Sequence, residues 1–303
     1  MSDLIAVRPD RKITGFAPGG RVSTHQFGNN RSVYQGRGME FDEARVYQPG
    51  DDVRAIDWRV TARTGEVHTK LYHEERERPV YILLDQRSMM HFGTRVRFKS
   101  VLAARIAAML CWVGVDGGDR VGGLLLTQSG LADFPATRTR QGMLGFLNAI
   151  SKATRTLDTG GSPETTLRYA VRRLRHMARP GTLVFIISDF SDFDTDAEQE
   201  INRLSLHAHV TNILTTDHLD AHLPARGNYN VTDGHGVVAL AEVGRAHLRD
   251  HEAAFNDRRL RLETMSRRRA MAFLDLKTSD DPASVLRPHR KQSQPGDTRG
   301  AAA

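Results

Sequence analysis

Residues 36–88 read GRGMEFDEARVYQPGDDVRAIDWRVTARTGEVHTKLYHEERERPVYILLDQRS, and two kinds of sequence meet in them. From Gly36 to Arg78, 10 acidic and 8 basic residues share 43 positions, interleaved and punctuated by Pro49, Gly50 and the pair Asp57-Trp58. A solvating tail carries blocks of one sign, whereas both signs alternating between turn residues build ion pairs. Val80 to Leu84 is then an unbroken apolar run closed by Asp85. That is the pattern of a strand buried on both faces that carries a carboxylate to the rim of a sheet. No Gly/Ser linker separates Lys70 from Pro79, so the polar module and the core strand are expected to form one cooperative unit.

Downstream of Asp85 the chain alternates helix and strand. Phe98, Val101, Leu102, Ile106, Met109, Leu110 and Val113 fall at helical spacing, closed by Gly114, Gly117 and Gly118. Val121–Leu126 reads as a buried strand and Leu131–Phe134 as its hairpin partner on the sheet edge. Helical patterns over Gln141–Ala153 and Glu164–Ala178 lead to the strand Leu183–Ser188; a helix near Ala197–Leu206 leads to the strand Val210–Thr215. A polar hairpin across Tyr229–Leu240, a long helix from Arg245 to about Arg267, a strand Met271–Lys277 and a short helix at Ala283–Leu286 complete the pattern. Strands joined by crossover helices predict an α/β fold, a doubly wound and mainly parallel sheet with helices on both faces. Three strands end in aspartate, at Asp85, Asp189 and Asp217, so the acids point to the rim where open sheets bind ligands.

Upstream, the segments Ser32–Gln35, Glu43–Tyr47 and Val67–Tyr72 alternate in part between Pro-Gly, Asp-Asp and Thr-Gly turns, predicting a small β-rich module over residues 14–78 ahead of the domain at 79–288. Residues 1–13 and 289–303 lack periodicity and read as disordered tails. Asp51 and Asp52 follow Pro49-Gly50 and suit turn or helix-start bonds, while Arg54 and Arg63 are available to Asp57 or Glu43, a structural network. Trp58 is expected to be the buried core residue of the module.

The motif carried by Gly36, Gly38, Phe41, Arg45, Tyr47, Pro49, Gly50, Asp51, Asp52, Arg54, Ile56, Asp57, Trp58, Ala62 and Arg63 closely resembles the bacterial family called domain of unknown function 58. The resemblance implies a von Willebrand factor A-like domain behind a small β-rich module, covering roughly residues 14 to 287. It also implies a link to AAA+ ATPases of the MoxR type. Von Willebrand factor A domains share a metal-ion-dependent adhesion site, D-x-S-x-S after the first sheet strand, a threonine on a second loop and an aspartate after a later strand. Here the first element is Asp85-Gln86-Arg87-Ser88-Met89, so Arg87 and Met89 replace both serines. Thr165 or Thr166 matches the threonine and Asp189 the final acid, while Ser88 is displaced by one residue. A guanidinium repels a hard cation and a thioether does not bind it, so the site at Asp85, Ser88, Thr165 and Asp189 reads as degenerate. The expected occupant of the space is Arg87, paired with Asp85 or Asp189.

Composition limits the remaining chemistry. The chain has 303 residues, 39% hydrophobic and 26% charged, enough to bury a real core. The longest apolar-looking run, Leu102–Val115, contains Arg105 and is too short to span a bilayer, and the N-terminus has no signal-like apolar region, so the expectation is a cytoplasmic protein. The single cysteine, Cys111, lies in a helical pattern and reads as a small core residue. Of the net charge of +7, residues 258–269 and 287–299 carry the basic excess, which reads as a solvated helix face and tail more than as a nucleic-acid groove. No G-x-G-x-x-G follows the first sheet strand and neither G-x-x-x-x-G-K-[ST] nor G-x-S-x-G occurs. His251-Glu252 lacks the second histidine of a zinc helix, and His207 and His209 lack a third ligand.

Two functions are compatible with these residues. The first is a non-enzymatic protein–protein interaction module working with a MoxR-type AAA+ ATPase, with Asp85, Arg87, Ser88, Thr165, Asp189 and Phe193 on its binding rim, no cofactor, and magnesium as the cation if one were held. A membrane-associated partner is compatible with it. The alternative is a metal-dependent phosphodiester hydrolase in which Asp51, Asp52 and Asp57 hold cations that activate water. It requires those carboxylates to converge on one accessible point.

Overall fold

The computed structural model describes residues 1–9, 13–17, 21–24, 39–74, 79–155, 166–223, 230–232, 237–239 and 245–286. In chain order these form α1 (Ser2–Ala6), β1 (Ile13–Ala17), β2 (Arg21–Thr24), β3 (Met39–Val46), α2 (Trp58–Thr64), β4 (His68–Glu74), β5 (Pro79–Asp85) and α3 (Lys99–Asp116). Then come β6 (Arg120–Thr127), β7 (Gly130–Thr137), α4 (Arg140–Arg155), α5 (Leu167–Met177), β8 (Leu183–Ser188), α6 (Thr195–Leu204), β9 (His209–Thr216) and α7 (His218–Ala221). The last elements are β10 (Asn230–Thr232), β11 (Val237–Ala239), α8 (Arg245–Arg268) and β12 (Ala272–Lys277). Single 3-10 turns lie at Val53–Ala55, Ser88–His91 and Pro282–Leu286.

The apolar runs become a six-stranded sheet in the order β12-β9-β8-β5-β6-β7, parallel throughout except for the edge strand β7. Alternate residues of β5 and β8 serve opposite faces. Val80, Ile82, Leu84, Leu183, Phe185 and Ile187 pack with α3 and α4 on one side. Tyr81, Leu83, Val184 and Ile186 pack with α5, α6 and α8 on the other. Burial on both faces is why these strands have no polar alternation. The two glycines of β6 have steric causes: a Cβ on Gly122 would meet the Ala136 nitrogen at 2.6 Å, and one on Gly123 the Phe146 ring at 2.2 Å. Cys111 is buried in α3. No helix among the described residues is long and apolar enough to cross a membrane.

Strand β5 pairs with β6 on one side and β8 on the other, and the connections leaving β5 and β8 diverge to opposite faces, the position at which open sheets form a ligand crevice. The N-terminal module is separate from this sheet in its pairing: β3 and β4 form an antiparallel pair with a register shift between Phe41 and Glu43. The predicted strand Ser32–Gln35 lies outside the described residues, as does the tail at 289–303.

Two expectations are corrected. A disordered tail is expected over residues 1–13, but within it α1 docks on the sheet domain: Leu4 is buried, its carbonyl accepts from Trp112 Nε1 at 3.2 Å, and Arg8 pairs with Asp116 at 2.6 Å. A five-residue helix is too short to show periodicity; tertiary contacts hold it. Trp58, expected in the core of the module, is 70% exposed on the first turn of α2. Aromatic residues are common inside proteins, but the converse inference from type to burial does not hold at one position.

Candidate functional site

The crevice is walled by the loops that leave the three strand-end aspartates. Asp85 is 1% exposed, and both its oxygens are saturated. Oδ1 accepts from the Arg87 backbone N–H and from Arg87 Nε, each at 3.0 Å; Oδ2 accepts from Arg87 Nη2 and from Ser188 Oγ, each at 2.7 Å. The same guanidinium grips Asp192 with Nη1 to Oδ2 at 2.6 Å and Nη2 to Oδ1 at 2.8 Å. Asp192 Oδ2 also accepts the Leu167 N–H at the start of α5, at 2.8 Å. Arg87 thus ties together the loops after β5 and β8 and the entry to α5. Burial opposes its charge, but the Asp85 charge and the hydrogen bonds of Asp192 and Asp85 outweigh that, and its pKa is raised.

Asp189 is held separately. Its Oδ1 accepts the Ser191 N–H at 3.0 Å, and its Oδ2 accepts from Lys99 Nζ at 3.0 Å. Lys99, the first residue of α3, also reaches Asp220 at 3.1 Å. Burial pushes the Asp189 carboxyl up, and the Lys99 charge and hydrogen bond overcome it, so the pKa is lowered. Burial likewise disfavours charged Lys99, and Asp189 and Asp220 together raise its pKa above the ordinary value. Asp220 closes the ring by accepting the Asp217 N–H at 2.7 Å. Asp217 in turn accepts from Thr94 Oγ1 at 2.7 Å and Thr278 Oγ1 at 2.6 Å. Burial raises the Asp217 pKa, but the hydrogen bonds of Thr278 and Thr94 leave it lowered.

Of the predicted rim residues, Asp85 and Arg87 pair as expected. Asp189 does not meet Arg87 in a direct bond; Lys99 takes it. Thr165 lies outside the described residues, while Thr166 caps α5 by accepting the Tyr169 N–H. Ser88 is half-buried at the start of its 3-10 turn, and the hydroxyl on Asp85 comes from Ser188 instead. Phe193 is corrected as a surface candidate: it is 4% exposed, edge-on to Phe190 at 6.0 Å between ring centroids, with the Arg261 guanidinium 5.4 Å over its ring. The loop turns inward because Phe190 adopts φ 53° with its N–H on Ser188 Oγ. The left-handed region costs a bulky residue about 1–2 kcal/mol, which its complete burial offsets.

A hard divalent cation needs oxygen atoms that face it unshared. Here Arg87 and Ser188 engage the Asp85 oxygens, Lys99 and the Ser191 N–H engage Asp189, and hydroxyls engage Asp217, so these described acids present no unshared pair of oxygens to a metal. Among the described residues no group of three or more His, Cys, Asp or Glu could hold one.

The acids of the β module are also engaged, each locally. Asp51 accepts from Arg45 Nη2 at 2.7 Å and the Gln48 N–H at 2.9 Å; the Gln48 bond, ahead of Arg45, lowers its pKa. Asp52 accepts the Arg54 N–H, and Asp57 caps α2 by accepting the Arg59 and Val60 N–H groups, with Lys70 at 3.9 Å. Arg54 and Arg63, expected as partners of Asp57, are exposed. Gly50 has φ 107°, which explains a glycine after Pro49. Within the module, Tyr47 and Ile56 tie the segment between β3 and α2 to the β4 side, through Tyr47 N–H to the Val67 carbonyl and the Ile56–Thr69 bridge. Phe41 pairs with Tyr72 in the β3–β4 ladder; Gly36 and Gly38 lie outside the described residues.

A family model described as Protein of unknown function DUF58 matches residues 43–261. Uncharacterized protein Rv1480 of Mycobacterium tuberculosis is 31% identical over 224 residues, covering 74% of this chain and 69% of that protein. Among solved structures, an aerotolerance-related membrane protein from Bacteroides fragilis is similar at TM-score 0.45 and 15% identity, over 69% of this chain and 94% of that one. A von Willebrand factor type A structure from Catenulispora acidiphila is similar at TM-score 0.36 and 13% identity, over 73% of this chain and 42% of that one.

Proposed function

The chain belongs to the family described as Protein of unknown function DUF58, and on that premise we propose that it is a non-enzymatic protein–protein interaction module. The observation that carries this reading is the arginine clamp: Arg87 joins Asp85 and Asp192 across two loops and engages both carboxylates in internal ion pairs. A rim locked by internal ion pairs is suited to presenting a fixed surface, since little is lost in ordering it on binding. The partner we propose is a MoxR-type AAA+ ATPase, with the module serving a chaperone-like or complex-assembly role; the support is the motif between Gly36 and Arg63.

The hydrolase alternative has less support, because Asp51, Asp52 and Asp57 bond to their own turn and helix starts instead of to a shared point. Nucleic acid is likewise a weak fit for the basic helix α8, where Arg259, Arg261 and Arg267 pair with Asp275, Glu198 and Glu263. The test is affinity purification of the full chain from its native cells at low and high salt, with a parallel assay of divalent-dependent nucleic-acid cleavage. A stable AAA+ partner without cleavage supports the module; metal-dependent cleavage lost on Asp57→Asn overturns it.

A further inference from the structure

The loop between the 3-10 turn at Ser88–His91 and α3 is closed on itself. The Lys99 N–H donates to the Phe92 carbonyl at 2.8 Å, and Thr94 is pinned to Asp217 through both its N–H and its hydroxyl. Gly93 makes the fold-back sterically feasible, since a Cβ there would sit 2.2 Å from the Arg97 carbonyl oxygen. On the outer side of this fixed loop lies a pocket of about 560 Å³ walled by Val96, Phe98 and Val101 and by Arg95, Arg97 and Arg105. That volume lies within the range of ordinary ligand pockets.

Its charge is unbalanced. Several arginines elsewhere in the sheet domain are paired with acids, as Arg87, Arg173, Arg175 and Arg259 are. Arg95, Arg97 and Arg105 have no carboxylate within ion-pair distance among the described residues, and Arg97 Nη1 is buried without any hydrogen-bond partner. A buried donor left unpaired costs about 1–3 kcal/mol, a cost that an acceptor brought by a ligand to this guanidinium would offset. Beside the guanidinium groups, Val96 is 57% and Phe98 49% exposed. The pocket therefore asks for anions and an apolar group together.

We propose that this pocket binds an acidic peptide segment of a partner protein, with carboxylates on Arg95, Arg97 and Arg105 and an apolar side chain against Val96 and Phe98. Guanidinium forks match carboxylate geometry in pairs. A free phosphate would favour open amides at a helix start, but Lys99 and Val101 already donate theirs to Phe92 and Phe98. The concave shape and the apolar wall at one side suit a peptide over the flat plane of a lipid surface. The proposal rests on the interaction-module reading and names the chemistry of the partner.

The test is a displayed library of random peptides panned against the immobilised full chain and against Arg97→Gln, Arg105→Gln and the remote control Arg268→Gln. The expected enrichment is of peptides with two or more acids flanking an aromatic or aliphatic residue. Their affinity, read by fluorescence polarisation, falls about tenfold or more in each pocket variant and is unchanged in the control. The half-buried Arg105 keeps the test decisive if Arg97→Gln fails to fold. Enrichment without acids, or equal affinity for the variants, overturns the proposal. So does binding to phosphatidylserine vesicles that the same variants abolish while no peptide is recovered. A protein partner that co-purifies equally with wild type and with Arg97→Gln leaves the module reading standing and removes only this pocket from it.

Discussion

Lys99 Nζ lies 3.0 Å from Asp189 Oδ2, and the lysine side chain is 1% exposed. The buried ammonium of the first residue of α3 thus neutralises an acid that follows a core strand. With Arg87 at Asp85, Asp85 and Asp189 each have an internal cation of their own.

Lys99→Met removes the charge and leaves Asp189 and Asp220 without their shared cation. Breaking a buried pair by deleting one partner costs about 3–5 kcal/mol. The expected outcome in urea melts is a loss of that order for Lys99→Met, partly recovered when Asp189→Asn is added. An additive double variant would show that the pair is not coupled.

Magnesium and manganese should leave the melting temperature of the protein unchanged relative to EDTA, because any cation must displace Arg87 or Lys99 and accept their repulsion. Binding would be millimolar or weaker, less than about 4 kcal/mol. Arg87→Ser with Met89→Ser should restore little on its own, since Lys99 remains on Asp189; adding Lys99→Ser should make the melting temperature metal-dependent. A metal-dependent rise in the unmodified protein would refute the whole account.

Acid should destabilise the rim first. Asp189 and Asp217 have carboxyls held below their ordinary value in the folded chain. Their contribution is present above the unfolded value of about 3.9 and is lost as pH falls through the folded values. Stability measured from neutral pH downward should therefore decline below about pH 5, with a shallower slope in Asp217→Asn. A slope unaffected by that substitution would locate the acid sensitivity elsewhere.

Trp58 and Phe193 should respond in opposite ways to the same truncation. Trp58→Ala removes an exposed ring and is expected to change stability by less than about 0.5 kcal/mol. Phe193→Ala empties a site that is 4% exposed and should cost about 3–5 kcal/mol. Thermal melts separate the two, and only the Trp58 variant is then usable for measuring partner binding. A large loss at Trp58 would mean that the ring is covered in solution.

The parallel strands were legible because β5 and β8 are apolar without alternation, and the rim was legible because Asp85, Asp189 and Asp217 close three such runs. A pair of Arg87 with Asp85 or Asp189 is expected from the D-x-S-x-S pattern that the chain resembles, and Arg87 takes the first of the two. The partners of Lys99 were not legible, since Asp189 and Asp220 lie 90 and 121 residues away. One local signal was available: a lysine as the first residue of a helix opposes the helix dipole, and such a placement calls for acids from elsewhere in the chain. Ser188 was hidden in the same way, as the last residue of a strand whose other members are apolar. Trp58 is misread from its type, because a large ring on a short surface helix has no apolar stripe around it to fix which way it faces.

The buried lysine also sets an order of assembly. Strands β5, β6 and β7 with α3 are close in sequence and can associate early, but an ammonium stripped of water without its acids costs several kcal/mol. The first turn of α3 must then stay hydrated until residues 189 and 220 are delivered. The expected order is that the contacts of Lys99 with Asp189 and Asp220 form late in folding and open early in unfolding, so that amide exchange in the first turn of α3 precedes exchange in β5 and β8.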